Sequence, residues 1–303
     1  MPSIYGMIFG VISMQTLLLF LSTTQAATIG GHVSGPNGDV TGATIVVYDQ
    51  RFGYATALTD VAGNWAISGI PSNAYRVRVL PDFSQNLTER WSGETREVCA
   101  SPAYHASSED TPDVVVQLVG GGEAVGEVFD AFGDPVANAL VTALSLDPNN
   151  TAEARIATTN DDGYFELLGL PTDLGDTGEF FIEVEAEGLP TQFIPGVYEA
   201  AAASLVSLSG TERKVVSESY LQSGITVWGE VMTPDGPLEE GTAYVYSAST
   251  VVSTTVLDGY YEVVGLPPGD VLTWVSADYF GTTYYPDEDR PTTMVPADEG
   301  ETV

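Results

Sequence analysis

The stretch Asn160-Asp161-Asp162-Gly163-Tyr164-Phe165-Glu166-Leu167-Leu168-Gly169-Leu170-Pro171 decides the fold, because the chain carries it in triplicate. The earlier copy reads Thr59-Asp60-Val61-Ala62-Gly63-Asn64-Trp65-Ala66-Ile67-Ser68-Gly69-Ile70-Pro71, and the later one Leu257-Asp258-Gly259-Tyr260-Tyr261-Glu262-Val263-Val264-Gly265-Leu266-Pro267. The glycine ahead of the aromatic falls at 63, 163 and 259, giving periods of 100 and 96 residues. Asp-x-Gly makes a tight turn, since glycine accepts positive φ and the Asp side chain bonds nearby amides. Beyond the turn, Trp65/Ile67, Phe165/Leu167 and Tyr261/Val263 alternate with more polar neighbours, the period of a half-buried strand. Pro71, Pro171 and Pro267 then end that strand, because proline donates nothing to a ladder.

Working outward, each block is preceded by a Gly-x-Val opening: Gly31-His32-Val33, Gly126-Glu127-Val128 and Gly229-Glu230-Val231. A turn and an apolar strand follow, as in Gly42-Ala43-Thr44-Ile45-Val46-Val47-Tyr48 and its counterparts at 137–143 and 240–246. After each block comes another period-two strand: Tyr75–Val79, Phe180–Ala186 and Val271–Ala277. A tail unit closes repeats two and three, at Phe193–Tyr198 with Leu205–Gly210, and at Thr283–Asp287 with Thr293–Gly300. Repeat one has a looser version near Glu89–Gly93, and its residues 92–112 read as an irregular loop. Tyr198–Leu205 reads as a loop with one helical turn. Short strands parted by Gly, Pro, Asn and Asp turns indicate an all-β chain of three tandem seven-stranded, Ig-like β-sandwiches. The predicted boundaries are a leader at 1–27 and sandwiches at 28–119, 120–223 and 224–303.

These blocks resemble the carboxypeptidase regulatory-like domain family. The likeness rests on the Gly-x-Val opening, the turn before the aromatic and the Gly-Leu-Pro strand end, and covers nearly all of residues 28–303. It implies the transthyretin-like sandwich, which starch-binding-like folds and collagen-adhesin B-type domains share. It also implies modules that accompany enzymes, adhesins and surface proteins without catalytic residues of their own. Adhesin domains of this kind use Lys–Asn crosslinks. Here Lys214 is the sole lysine, so three such crosslinks have no basis.

Nine basic against 42 acidic residues leave a net charge of −33. Nucleic acid and anionic membrane surfaces are excluded as partners, since both require basic patches. By repeat, the net charges are −5 for 28–119, −15 for 120–223 and −13 for 224–303. The apolar run from Gly6 to Leu21, followed by Ser22-Thr23-Thr24-Gln25-Ala26-Ala27, predicts a signal peptide cleaved near Ala26 or Ala27, hence a secreted or cell-surface protein. Cys99 is the lone cysteine, so no intrachain disulfide forms, and it is expected to be buried.

No catalytic residues are assigned. His32 and His105 are the only histidines, and no zinc, phosphate-loop or nucleophile-elbow motif occurs. Calcium is the one candidate cofactor, through Asp60, Asp161, Asp162 and Asp258 in one turn and the acidic run Asp287-Glu288-Asp289, against a reading as turn formers and solvated surface. Candidate carbohydrate-binding residues are the tail aromatics Trp91, Tyr198, Tyr284 and Tyr285, against core or interdomain packing. Asn86-Leu87-Thr88 and Asn149-Asn150-Thr151 fit the glycosylation sequon. The expected function is therefore a non-enzymatic, exported structural or adhesive array contacting an extracellular protein or glycan. The alternatives are a carbohydrate-binding accessory protein or the N-terminal fragment of a larger surface protein. Compared with repeat two, the third sandwich is expected to lack its final strand and to accept one from a partner.

Overall fold

A computed structural model describes residues 26–49, 54–95, 98–146, 154–172, 178–248, 250–278, 281–284 and 295–297. The predicted leader up to Gln25, Tyr285, the run 287–289, the sequon at 149–151 and the chain end lie outside the described residues.

The repeats share their antiparallel strand pairings, and the first two add a parallel closing strand. In the first, Ala26–Gly35 pairs antiparallel with Asn64–Pro71 and parallel with Asp113–Gln117. Facing them, Thr44–Tyr48 lies between Tyr54–Leu58 and Asn73–Leu80, and the latter also pairs with Arg90–Trp91 and Tyr104–Ala106. In the second repeat, Gly122–Asp130 takes Tyr164–Leu170 antiparallel and Arg213–Val215 with Ser219–Leu221 parallel. Its other sheet centres on Leu140–Ser145 and Gly178–Glu185. In the third, Ile225–Glu230 pairs with Tyr260–Leu266, and Glu240–Ser247 lies between Thr250–Leu257 and Gly269–Ala277. Gly281–Tyr284 and Val295–Ala297 continue that sheet. The all-β architecture follows from period-two burial: Ile45 and Val47, Val141 and Ala143, and Ala243 and Val245 all point inward. Three separate cores result, spanning Ala27 to Leu118, Ala124 to Leu221 and Ile225 to Ala297.

The Gly-x-Val opening acquires a steric reason. A Cβ on Gly31 would run into the backbone of Val114 on the parallel closing strand, and one on Gly126 would meet Val216 Cγ2 at 2.6 Å and Phe165 Cζ at 2.9 Å. Among the described residues Ile225–Glu230 pairs with Tyr260–Leu266 alone, while residues 298–303, on which the expected strand shortfall rests, lie outside them.

Several local readings change. Tyr104–Ala106 is a strand on Asn73–Tyr75, so part of the stretch read as irregular is the tail strand of repeat one. The helical turn is a 3₁₀ turn at Ala200–Ala202. Cys99 is exposed rather than buried, because its segment lies outside both sheets of repeat one.

The recurring turn also divides differently. Asp60 Oδ1 accepts the amides of Ala62 at 2.9 Å and Asn64 at 2.8 Å. In repeat two that role belongs to Asn160, whose Oδ1 accepts from Asp162 at 3.0 Å and Tyr164 at 2.9 Å. Asp161 and Asp162 are exposed positions further along the turn. In repeat three the turn is a two-residue hairpin, with Leu257 paired to Tyr260 and Asp258 and Gly259 both at positive φ. The four aspartates thus take different positions within the recurring turn.

Candidate functional site

Two features recur with enough geometry to support a function: the joints between repeats, and the outer face of the larger sheet.

The joints are built from Gly-Leu-Pro. Gly169 has φ +68°, and a Cβ there would meet Leu87 O of the preceding repeat at 2.6 Å. Its N–H donates to Asn86 Oδ1 at 2.8 Å, and its carbonyl accepts from Arg155 Nε at 2.9 Å. The Gly121 N–H donates to Asn86 O at 2.9 Å. Asn86 presents both acceptors because it follows the 3₁₀ turn Phe83–Gln85 in the left-handed region, at φ 51°. The buried Arg155 guanidinium lies 3.7 Å from the Phe83 ring centroid, a cation–π contact across the joint.

The next joint repeats the close glycine packing, while the side-chain bonds beside it hold the end of repeat two. Gly265, at φ +73°, would place a Cβ 2.9 Å from Gly188 C, and Gly224 would place one 2.8 Å from Gly265 Cα. Gln192, fully buried, donates to Gln222 O at 2.9 Å and accepts from Gln222 N at 2.8 Å. Tyr198 donates to Ser223 O at 3.1 Å, so this candidate aromatic holds the end of repeat two. A cleft of about 700 Å³ lies beside it, with Tyr198 and Phe193 on one side and Val252 and Pro267 on the other.

The outer sheet face carries one cross-strand row in each repeat, and register makes the rows equivalent. The first holds Val46, Arg78 and Trp91, the second Thr142, Glu183 and Phe193, and the third Tyr244, Trp274 and Tyr284. In the first, Arg78 is bonded bidentately to Glu89 at 2.8 and 3.0 Å and sits 5.9 Å from the Trp91 ring. Trp91 retains only 6% of its surface, so it packs rather than presenting a ring to a ligand. In the second, desolvation, with Glu185 adding to it, pushes the Glu183 carboxyl above its usual range. In the third, all positions are aromatic. Tyr244 and Trp274 stack at 5.3 Å with planes 7° apart, and Trp274 and Tyr284 lie 6.1 Å apart at 35°. Sequence reading found Tyr284 through the tail repeat and missed Tyr244 and Trp274. Their alternation was visible, but their adjacency is a product of register.

Beside the aromatic row runs a row of hydroxyls: Thr255, Thr242, Ser276 and Thr282. An open cleft of about 660 Å³ takes in Thr242, Tyr244, Thr255 and Ser276, with the carboxylates of Glu240 and Asp278 at its rim.

Among the described residues no group of three or more His, Cys, Asp or Glu side chains is placed to hold a metal ion. The Asp60 carboxylate already serves its own backbone: chiefly the Asn64 amide holds it below the usual carboxylate range.

No family model matches the chain, and no curated protein matches it. Solved structures do align. The Bacillus anthracis TIE protein aligns at 13% identity and TM-score 0.27, over 92% of this chain and 50% of that one. A streptococcal ancillary pilin aligns at 12% identity and TM-score 0.33, over 92% and 98%. GBS52, the minor pilin of Streptococcus agalactiae, aligns at 13% and 0.32, over 60% and 93%. The chain thus spans half the length of the first of these. Likenesses of this size carry no functional argument.

Proposed function

We propose that the chain is a non-enzymatic, exported array of carboxypeptidase regulatory-like sandwiches that acts as a stiff extracellular spacer holding an interaction surface away from its attachment point. The observation that supports this most is the joint. The closing strand Asp113–Gln117 is followed, four residues later, by the opening strand Gly122–Asp130, with Asn86 bonded to Gly169 and Arg155 lying over Phe83 across the joint. A flexible linker would be longer and unbonded. At both joints the linker glycine packs on the Gly-Leu-Pro glycine, which packs in turn on the preceding repeat, and this recurrence points to joint geometry as the feature the repeats keep.

The high acidic charge fits a solvated surface that resists self-association. The helical content among the described residues is limited to two 3₁₀ turns, and no helix is long and apolar enough to cross a membrane.

Paired spin labels on exposed sites of repeats one and two of the full chain test the spacer reading. A narrow distance distribution that broadens in Asn86→Ala/Arg155→Ala is expected. A broad distribution in the unsubstituted chain would sink it.

A further inference from the structure

We infer that the outer sheet face of the third repeat binds a neutral oligosaccharide, with Tyr244 as the stacking ring. This goes beyond the spacer role and fails or succeeds separately from it.

A sugar ring offers an apolar C–H face and a rim of hydroxyls. A site for it therefore needs an aromatic face beside polar groups that accept and donate hydrogen bonds. Register in the third repeat supplies both. The residues Tyr244, Trp274 and Tyr284 form one row, and Thr255, Thr242, Ser276 and Thr282 form the next. Ala243, Val245 and Ser247 are buried, so the alternate residues Thr242 and Tyr244 face outward from the sheet. Tyr244 meets Trp274 on one ring face, and Tyr284 backs Trp274 in turn. That stack fixes the ring that the open cleft reaches. Thr242 and Ser276 also line the cleft, with Glu240 and Asp278 at its rim, where carboxylates accept from sugar hydroxyls.

Charge narrows the ligand. Residues 224–303 contain one basic side chain, Arg290, against 14 acidic ones. An anionic sugar would meet carboxylates and no cation among the described residues that line the cleft, and would be repelled. The equivalent rows in the other repeats lack the chemistry. The first is sealed by Arg78–Glu89 and the buried Trp91, and the second places Glu183 where Trp274 stands.

Titration calorimetry on the full chain provides the test. Probes are neutral hexaoses of glucose (both linkages), xylose and mannose, with polygalacturonate and a chitosan hexamer as anionic and cationic probes. At least one neutral hexaose is expected to bind, with Tyr244→Ala weakening it by about tenfold or more. Trp228→Ala, which removes an exposed aromatic that does not line the cleft, is expected to leave affinity within about twofold. Glu240→Gln/Asp278→Asn, on exposed sites, reads the same cleft without touching the stack and is expected to weaken binding too. No neutral binding up to about millimolar concentration would overturn the inference, as would binding confined to the chitosan hexamer. Neutral binding unchanged in both cleft variants would overturn it as well.

Discussion

The N–H of Gly169 donates to Oδ1 of Asn86 across 83 positions of sequence, at 2.8 Å, and so ties the second repeat to the first. This bond changes the meaning of both residues. The Gly-Leu-Pro glycine does more than end a strand, because it must accept positive φ and the approach of another domain's carbonyl. Asn86, the sequon asparagine, has its amide committed to the joint, and Thr88 of the same sequon is fully buried. A glycan attached there would oppose the joint.

Replacing Gly169 with alanine separates these demands. Gly133, at φ +88° with open space around its would-be Cβ, serves as the reference. Gly133→Ala is expected to cost only the backbone strain, about 1–3 kcal/mol. Gly169→Ala meets the Leu87 carbonyl as well, and is expected to cost more and to uncouple the first two repeats. Calorimetry reads both effects, and equal losses in the two variants would refute the steric account.

A buried threonine sits just before the turn in repeats one and two. Thr159 Oγ1 donates to Val136 O at 2.7 Å and accepts from Ala139 N at 2.8 Å. Thr59 makes the same pair of bonds, with Val40 O at 2.6 Å and Ala43 N at 2.9 Å. Thr159→Val keeps the shape and strands two backbone groups, so a loss of about 1–3 kcal/mol per group is expected. Denaturant unfolding measures it. Repeat three has Leu257 before its shorter turn and should not share this sensitivity.

Asp60 gives the turn of repeat one a pH dependence. Its folded carboxyl lies below its ordinary value, chiefly through the Asn64 amide. A depressed carboxylate contributes stability that is present above the unfolded value and fades as pH falls through the folded one. Asp60→Asn, which copies the role of Asn160 in repeat two, keeps both acceptor bonds without the titration. The unsubstituted chain is expected to lose thermal stability relative to Asp60→Asn as the pH drops below the ordinary aspartate range. Parallel melting curves at all pH values would contradict this.

Cys99 is exposed and is the only cysteine. The native chain is therefore expected to react with one equivalent of an aromatic disulfide reagent without denaturant. On air oxidation it should form a dimer that reducing agent dissolves and Cys99→Ser prevents. Reaction that appears only after unfolding would count against the exposed position.

Sequence by itself determined the strands, the threefold repeat and the inward faces. Trp65, Phe165 and Tyr261 are buried where period two puts them, because alternation is a local property of extended chain. The glycine register at 63 and 163 sets Asp60 opposite Asn160, but only the bonds show that the two do the same work with different letters, while repeat three shortens the turn. The tertiary structure alone decided which residues meet. Asn86 finds Gly169 only when two sandwiches abut. Arg155 is buried over Phe83, although nothing around it in sequence announces an interface. Tyr244, Trp274 and Tyr284 form a row because antiparallel register sets three separate strands side by side. Trp91, in the same row of repeat one, is buried because Arg78 and Tyr48 close on it. Burial along one strand follows from its own pattern, whereas contact between strands depends on register and docking, which no single segment encodes.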